Sequence, residues 1–406
     1  MPTQPFDAAM LRADFPLLAA QPDLIYLDNA ATTQKPRAVL DAERHYYETT
    51  NANVHRSAHR LAHAATEAFE GARSTVARFL NAASSDEIVF TRGSTEAINL
   101  VAQSWGRSQL QAGDEIIIST LEHHANIVPW QLLANERGLR IVAVPLLANG
   151  QLDMDAYAAL LGSRTRLVAI TALSNAIGTR PDLAAVIAAA ATVGARVLVD
   201  ASQAVAHDVI DVQALRADFL VFSGHKAYGP TGIGALWART ELLNAMPPWQ
   251  GGGEMIERVS FAGTTFNRPP YRFEAGTPPV AQAIGLAAAL DWLVALDRAA
   301  LAAHEDALRL RLETALLARD DVRLVGTAPN KGPLTSLAFS HAHPFDVAQF
   351  LDARGIAVRV GHHCAQPLME AFNLSSTLRI SLSAYNVGSD IDTLLAALDD
   401  TLELLA

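Results

Sequence analysis

Six short runs of apolar and β-branched residues, alternating with Ala- and Leu-rich stretches, constrain this chain more than any other feature. They are Glu87-Ile88-Val89-Phe90, Asp114-Glu115-Ile116-Ile117-Ile118, Arg140-Ile141-Val142-Ala143-Val144, Arg166-Leu167-Val168-Ala169-Ile170, Arg196-Val197-Leu198-Val199 and Asp218-Phe219-Leu220-Val221-Phe222. A strand that reads as one apolar run is covered on both faces. Strands of that kind alternating with helices build a parallel sheet. Helical stretches set in at Thr95 and Ile127, behind the first two runs. Residues 87–237 are therefore expected to form a large α/β domain. Beyond it, Pro247-Pro248, Gly251-Gly252-Gly253, Pro269-Pro270 and Pro278-Pro279 predict a long irregular region, a kind of segment that is usually functional or disordered. Helices are expected over 280–319. Strands at Ser336-Leu337-Ala338-Phe339, Ala357-Val358-Arg359 and Leu378-Arg379-Ile380-Ser381, with helices over 345–351 and 390–405, read as a smaller α+β domain.

A chain of 406 residues is too long for one compact core and fits two domains. Its 50% hydrophobic and 18% charged content is that of a folded protein. The formal charge of −11 and the lack of a Lys/Arg run exclude a nucleic-acid footprint. The longest apolar stretches, such as 183–195, are shorter than the roughly 20 residues that cross a bilayer. Met1-Pro2-Thr3-Gln4-Pro5-Phe6-Asp7 has no basic start followed by an apolar run, so no secretory leader is expected. A single cysteine rules out a disulfide-built scaffold. Together these readings describe a soluble, acidic, cytoplasmic enzyme.

That one cysteine, Cys364, sits in Arg359-Val360-Gly361-His362-His363-Cys364-Ala365-Gln366-Pro367, a loop between a strand and a helix. A lone thiol packs as a small hydrophobe or acts as a nucleophile. Two imidazoles and an arginine nearby favour the thiolate. In Phe222-Ser223-Gly224-His225-Lys226-Ala227-Tyr228-Gly229-Pro230 a strand ends directly in Ser, Gly, His and Lys, and the glycines and proline oppose a helix. Most loop lysines are solvated, but one just past the carboxyl end of a sheet strand faces the crevice where α/β proteins bind ligands. In a dry setting its amine becomes neutral and can form a Schiff base. Asp200 ends an earlier strand at the same edge. It is either a helix N-cap or the partner of a cationic ring nitrogen, and pyridoxal phosphate (PLP) needs both a lysine and such an acid. Gly93-Ser94-Thr95 opens a helix whose free amides, with two hydroxyls, suit a phosphate. His123, in Glu122-His123-His124, could stack on a flat ring. No spacing completes a zinc pattern, so no metal is expected.

Together, Tyr26-Leu27-Asp28-Asn29-Ala30-Ala31-Thr32-Thr33, Asn53-Val54-His55-Arg56, Glu122-His123-His124-Ala125-Asn126, Ser223-Gly224-His225-Lys226, Glu274-Ala275-Gly276-Thr277-Pro278 and Gly361-His362-His363-Cys364 resemble the group II cysteine desulfurases (the SufS/CsdA type) of the class V aminotransferase family, PLP fold type I. The resemblance runs nearly end to end. It implies a large α/β domain with a mainly parallel seven-stranded sheet covered by helices, plus a smaller α+β domain. The implied division is an N-terminal segment packing on the small domain (1–25), a PLP-binding domain (26–290) and a small domain carrying Cys364 (291–406). The implied activity converts L-cysteine to L-alanine with a persulfide on Cys364, for iron–sulfur cluster assembly. Lys226 would carry the PLP imine and act as base, Asp200 would pair with the pyridine nitrogen, and Gln203 with the phenolic oxygen. His123 would stack on the ring and Asn175 would line it. Ser94, Thr95, Ser223 and His225 would hold the phosphate, with Thr277 reaching it from the other subunit of a homodimer. Arg379 would clamp the substrate carboxylate, with Arg359 and His55 close by. A SufE/CsdE-like protein would accept the sulfur. The chain departs from the family at Ala201-Ser202, often Gly-Ala there, and at Pro279, often Asn. The rival readings are a selenocysteine lyase, another class V aminotransferase or lyase, and a cofactor-free thiol hydrolase. The last leaves Lys226 and Asp200 unexplained.

Overall fold

The computed structural model describes residues 6–405, so most of the stretch read as lacking a secretory leader, Met1 to Pro5, lies outside the described residues. Its largest sheet has seven strands in the order Ile88–Thr91, Gly234–Ala238, Phe219–Ser223, Arg196–Asp200, Thr165–Thr171, Glu115–Ser119, Arg140–Val144. Only Gly234–Ala238 runs antiparallel to its neighbours. All six expected runs are strands, within a residue or so of their expected limits. Burial on both faces explains their uninterrupted apolarity. Leu220 and Phe222 enter one core with Val197, Val199 and Val168, while Phe219 and Val221 enter another with Leu198, Ile116 and Trp130. Successive residues of one strand thus feed opposite layers. Helices Arg60–Phe79 and Val280–Ala295 pack on each other, and their Phe69, Val76 and Leu286 join the first core.

A second, four-stranded antiparallel sheet has the order Val322–Val325, Leu334–Phe339, Thr377–Ser381, Arg359–Gly361. Helices Arg298–Leu317, Pro344–Asp352 and Gly388–Leu405 supply Leu312, Val347 and Leu394 to its core. This is the expected smaller α+β arrangement.

Three local expectations change. The stretch after Trp237 is not wholly irregular: Ile256–Ser260 and Gly263–Phe266 form an antiparallel hairpin. Its residues are almost all exposed, so no burial pattern marked them as strands. The turn after Ser223 contains one 3-10 turn, Gly224–Lys226, despite its glycine. The N-terminal segment, expected on the small domain, contacts both parts. Phe15 packs on Tyr385 and also on Tyr228, at ring separations of 4.6 and 6.1 Å. Further on, Ile25–Tyr26 pairs in parallel with Ile356–Ala357.

Candidate active site

Parallel strands end at one edge of their sheet, so the segments after Ser119, Thr171, Asp200 and Ser223 converge there. Between that edge and the smaller sheet lies a cavity of about 210 Å3. Lys226, Asp200, Gln203, His123, Asn175, Ser94, Thr95, Ser223 and His225 line it from one side, and Cys364, Arg359 and Arg379 from the other. Close packing at the edge depends on Gly234. A Cβ there would lie 2.6 Å from the Gly93 Cα and 2.5 Å from the Phe222 carbonyl oxygen.

Asp200 is not a helix cap. Its Oδ1 accepts from the Ser202 amide at 3.0 Å and the Ser202 hydroxyl at 2.5 Å. No described residue donates to Oδ2. Ser202, where the family often has Ala, therefore orients the carboxylate, a role that the sequence did not suggest. Among the described residues no hydrogen bond or ion pair holds the Lys226 amine, and burial pushes its pKa down although Asp200 pulls it up. The Ser94 amide is not free as expected. It donates to Ser223 Oγ at 2.9 Å, and the two hydroxyls are 2.9 Å apart. This leaves a hydroxyl pair at the start of helix Ser94–Val101. Gln203 Nε2 donates to the Ala30 carbonyl at 2.7 Å.

His123 Nδ1 accepts from the Ala125 amide at 3.0 Å, so the neutral ring carries its proton on Nε2. Burial, with Lys226 nearby, lowers its pKa to about 3. Burial lowers His225 to about 4 and His363 to about 2. All three are neutral in the folded chain at pH 5, while unfolded imidazoles begin to charge below about 6.5. The unfolded state then binds more protons, so stability falls as pH drops from about 6.5 toward 3. Each histidine contributes up to about 1.4 kcal/mol per pH unit between about 6.5 and its own folded value, which for His225 is about 4. Urea titrations of the cofactor-free protein at pH 7 and pH 5 should show the loss, and the His225→Gln variant should show less of it.

The Cys364 loop is held by its backbone rather than by its thiol. His363 and Cys364 adopt left-handed backbone angles, φ 52° and 55°. The Cys364 carbonyl accepts from the His124 amide at 2.7 Å, and the His363 carbonyl from Asn175 Nδ2 at 2.7 Å. The Cys364 amide donates to His362 Nδ1 at 3.1 Å, and the Gln366 amide to His124 Nε2 at 3.1 Å. The thiol itself is half-buried at the cavity wall.

His55 lies away from the cavity in the single chain, and Thr277, expected from the other subunit, is also outside its own chain's cavity. His55 bonds Glu70 at 2.8 Å and lies 3.9 Å from Glu254, so it is not part of the cavity beside Arg379. Thr277 lines a separate cleft of about 500 Å3 with Arg92, Glu96 and Trp249. Its segment is fixed by Glu274, which takes two hydrogen bonds from the buried Arg73 at 2.6 and 2.9 Å.

The cavity's residues fit PLP. An unengaged amine and an unengaged carboxylate oxygen line the same cavity, a neutral imidazole stands beside them, and paired hydroxyls mark a helix start.

Comparison with known proteins gives a matching answer. The family model for aminotransferase class-V matches residues 25–394. A probable cysteine desulfurase of Vibrio cholerae is 52% identical over 398 residues, covering 97% of this chain and 98% of that protein. A cysteine desulfurase of Dickeya dadantii is 51% identical over 402 residues, covering 98% and 97%. The crystal structure of the cysteine desulfurase CsdA (S-sulfonic acid) from Escherichia coli superposes with a TM-score of 0.93 at 45% identity, covering 99% of this chain and 100% of that one.

Proposed function

Because the chain belongs to the class V aminotransferase family and is a PLP-dependent cysteine desulfurase, we propose that Cys364 receives the sulfur of L-cysteine and that Lys226 and Asp200 serve the cofactor. The observation that carries this assignment is the presence of Cys364, Lys226 and Asp200 around one cavity.

PLP, when bound, supplies an electrophilic carbon and a sink for the electron pair left at the substrate Cα. Lys226 would hold it, Asp200 Oδ2 would keep its ring nitrogen protonated, and the hydroxyls of Ser94, Thr95 and Ser223, with His225, would take its phosphate. Gln203 and Asn175 would flank the ring, and His123 would lie against its face. The chain's own chemistry follows from these positions. Lys226, driven toward the neutral amine by burial, takes the Cα proton. Arg379, with Arg359 beside it, holds the substrate carboxylate. The Cys364 thiolate attacks the substrate sulfur, so an S–S bond forms as the C–S bond breaks. L-cysteine and the enzyme thiol become L-alanine and an enzyme persulfide, which balances without an outside oxidant.

We also propose that the persulfide passes to a SufE/CsdE-like acceptor for iron–sulfur cluster assembly, in the cytoplasm, from a homodimer. The dimer is supported by Thr277, which lies outside its own chain's cavity. It is also supported by the hairpin tip, where Phe261 and Val259 are exposed.

The test is incubation of the holoenzyme with L-cysteine, without an acceptor or a reductant. Mass spectrometry should find one extra sulfur on the peptide containing Cys364, in step with the first equivalent of L-alanine. Keto-acid product with no added sulfur would overturn the assignment.

A further inference from the structure

Arg359 and Arg379 are register partners on adjacent antiparallel strands. Like charges placed directly opposite each other on a sheet repel. Arg379 is also 1% exposed, and taking an unpaired guanidinium out of water is costly. One carboxylate answers both problems. Arg379 Nη2 donates to Asp28 Oδ1 at 2.8 Å, and Arg359 Nη1 lies 3.9 Å from Asp28 Oδ2. Arg379 Nη1 is spent on the Asn175 carbonyl at 2.8 Å. Its buried Nε has no partner among the described residues.

The backbone fixes Asp28 between the two arginine-bearing segments. The Leu27 amide donates to the Ala357 carbonyl at 2.9 Å, and the Ser381 amide to the Leu27 carbonyl at 2.8 Å. The Ala30 amide donates to Ser381 Oγ at 2.9 Å, and Asp28 itself bridges Ser381. Residues 27–30 are thereby stitched to both arginine segments, with Asp28, the one acidic residue among them, at the join.

We infer that Asp28 is a positioning residue for substrate recognition: it holds the Arg359–Arg379 pair in place and cancels one of its two positive charges. One charge in excess remains, which matches the single carboxylate of an α-amino acid. Asp28 acts through the arginines and does not line the cavity. The inference rests on the reading of Arg379 and Arg359 as the carboxylate site.

The experiment compares Asp28→Asn and Asp28→Glu holoenzymes with the unaltered protein. Asp28→Asn should raise KM for L-cysteine about tenfold with kcat within about twofold, as expected when one charge-assisted contact stops orienting a binding group. The dissociation constant for L-alanine, read from the cofactor absorbance, should rise by a similar factor. Asp28→Glu, which keeps the charge, should recover most of both. The inference is overturned if both constants stay within about twofold of the unaltered protein. It is also overturned if kcat and cofactor content fall together and Asp28→Glu fails to restore them, which is the mark of a merely structural role. L-alanine titration needs no sulfur transfer, so it tests Asp28 even if the persulfide assignment fails.

Discussion

The Cys364→Ser holoenzyme is expected to keep its yellow cofactor and lose L-alanine production from L-cysteine by on the order of 10^3 or more. A hydroxyl is a poor nucleophile toward sulfur and cannot carry a persulfide, so nothing accepts the substrate's sulfur atom. The loss is chemical and not structural. The contacts that hold the loop run through the Cys364 backbone, His124, His362 and the His363 carbonyl. Serine can adopt the same left-handed backbone angle as the cysteine it replaces, at the same cost. Melting temperature and cofactor absorbance should therefore match those of the unaltered protein. Undiminished L-alanine release would remove the persulfide step from the mechanism. Retained turnover of L-selenocysteine alone would instead favour the lyase reading, in which selenium leaves with less help from the thiol.

The large sheet was legible because both of its faces are buried, so its strands read as apolar runs with charged or turn residues at their ends. The same logic exposed much of the cavity: Asp200 ends its strand, and Lys226, Ser94 and His123 follow the ends of theirs, whereas Asn175 came from the resemblance. Legibility failed where that signal is missing. The run Gly234–Ala238 is as buried as its neighbours, but nothing in its apolar sequence says that it runs the other way. The hairpin 256–266 is exposed, so neither face imposed a pattern. Ser202 and Asp28 act through Asp200 and Arg379, and side chains that orient other side chains have no spacing of their own. Asp28 did offer a clue as the sole acidic residue in Tyr26-Leu27-Asp28-Asn29-Ala30-Ala31. The expected place of His55 beside Arg379 came from the resemblance and not from the chain's own periodicity, and Thr277 was expected from the other subunit. A single chain keeps both residues away from the cavity.

Replacing Lys226 should cost as much activity as replacing Cys364, and the choice of replacement separates its two roles. In the proposed mechanism Lys226→Ala removes both the cofactor linkage and the base, so turnover should fall by on the order of 10^4. Borohydride treatment should fix the cofactor on the Lys226 peptide of the unaltered enzyme and leave no adduct there in the variant. Stability should move the other way. The folded chain disfavours a charged amine at this position, because burial lowers its pKa from the ordinary lysine value. Folding is therefore opposed by Lys226 at neutral pH, where the unfolded amine is fully protonated. The cofactor-free Lys226→Ala protein should melt at or above the temperature of the unaltered cofactor-free protein. Lys226→Arg places a guanidinium, which cannot shed its charge, in the same wall of the cavity. It should melt below Lys226→Ala and be equally inactive. If the alanine variant melted lower than the arginine variant, the amine would be stabilised as a cation in the folded chain. It would then be unfit to take a proton from the substrate.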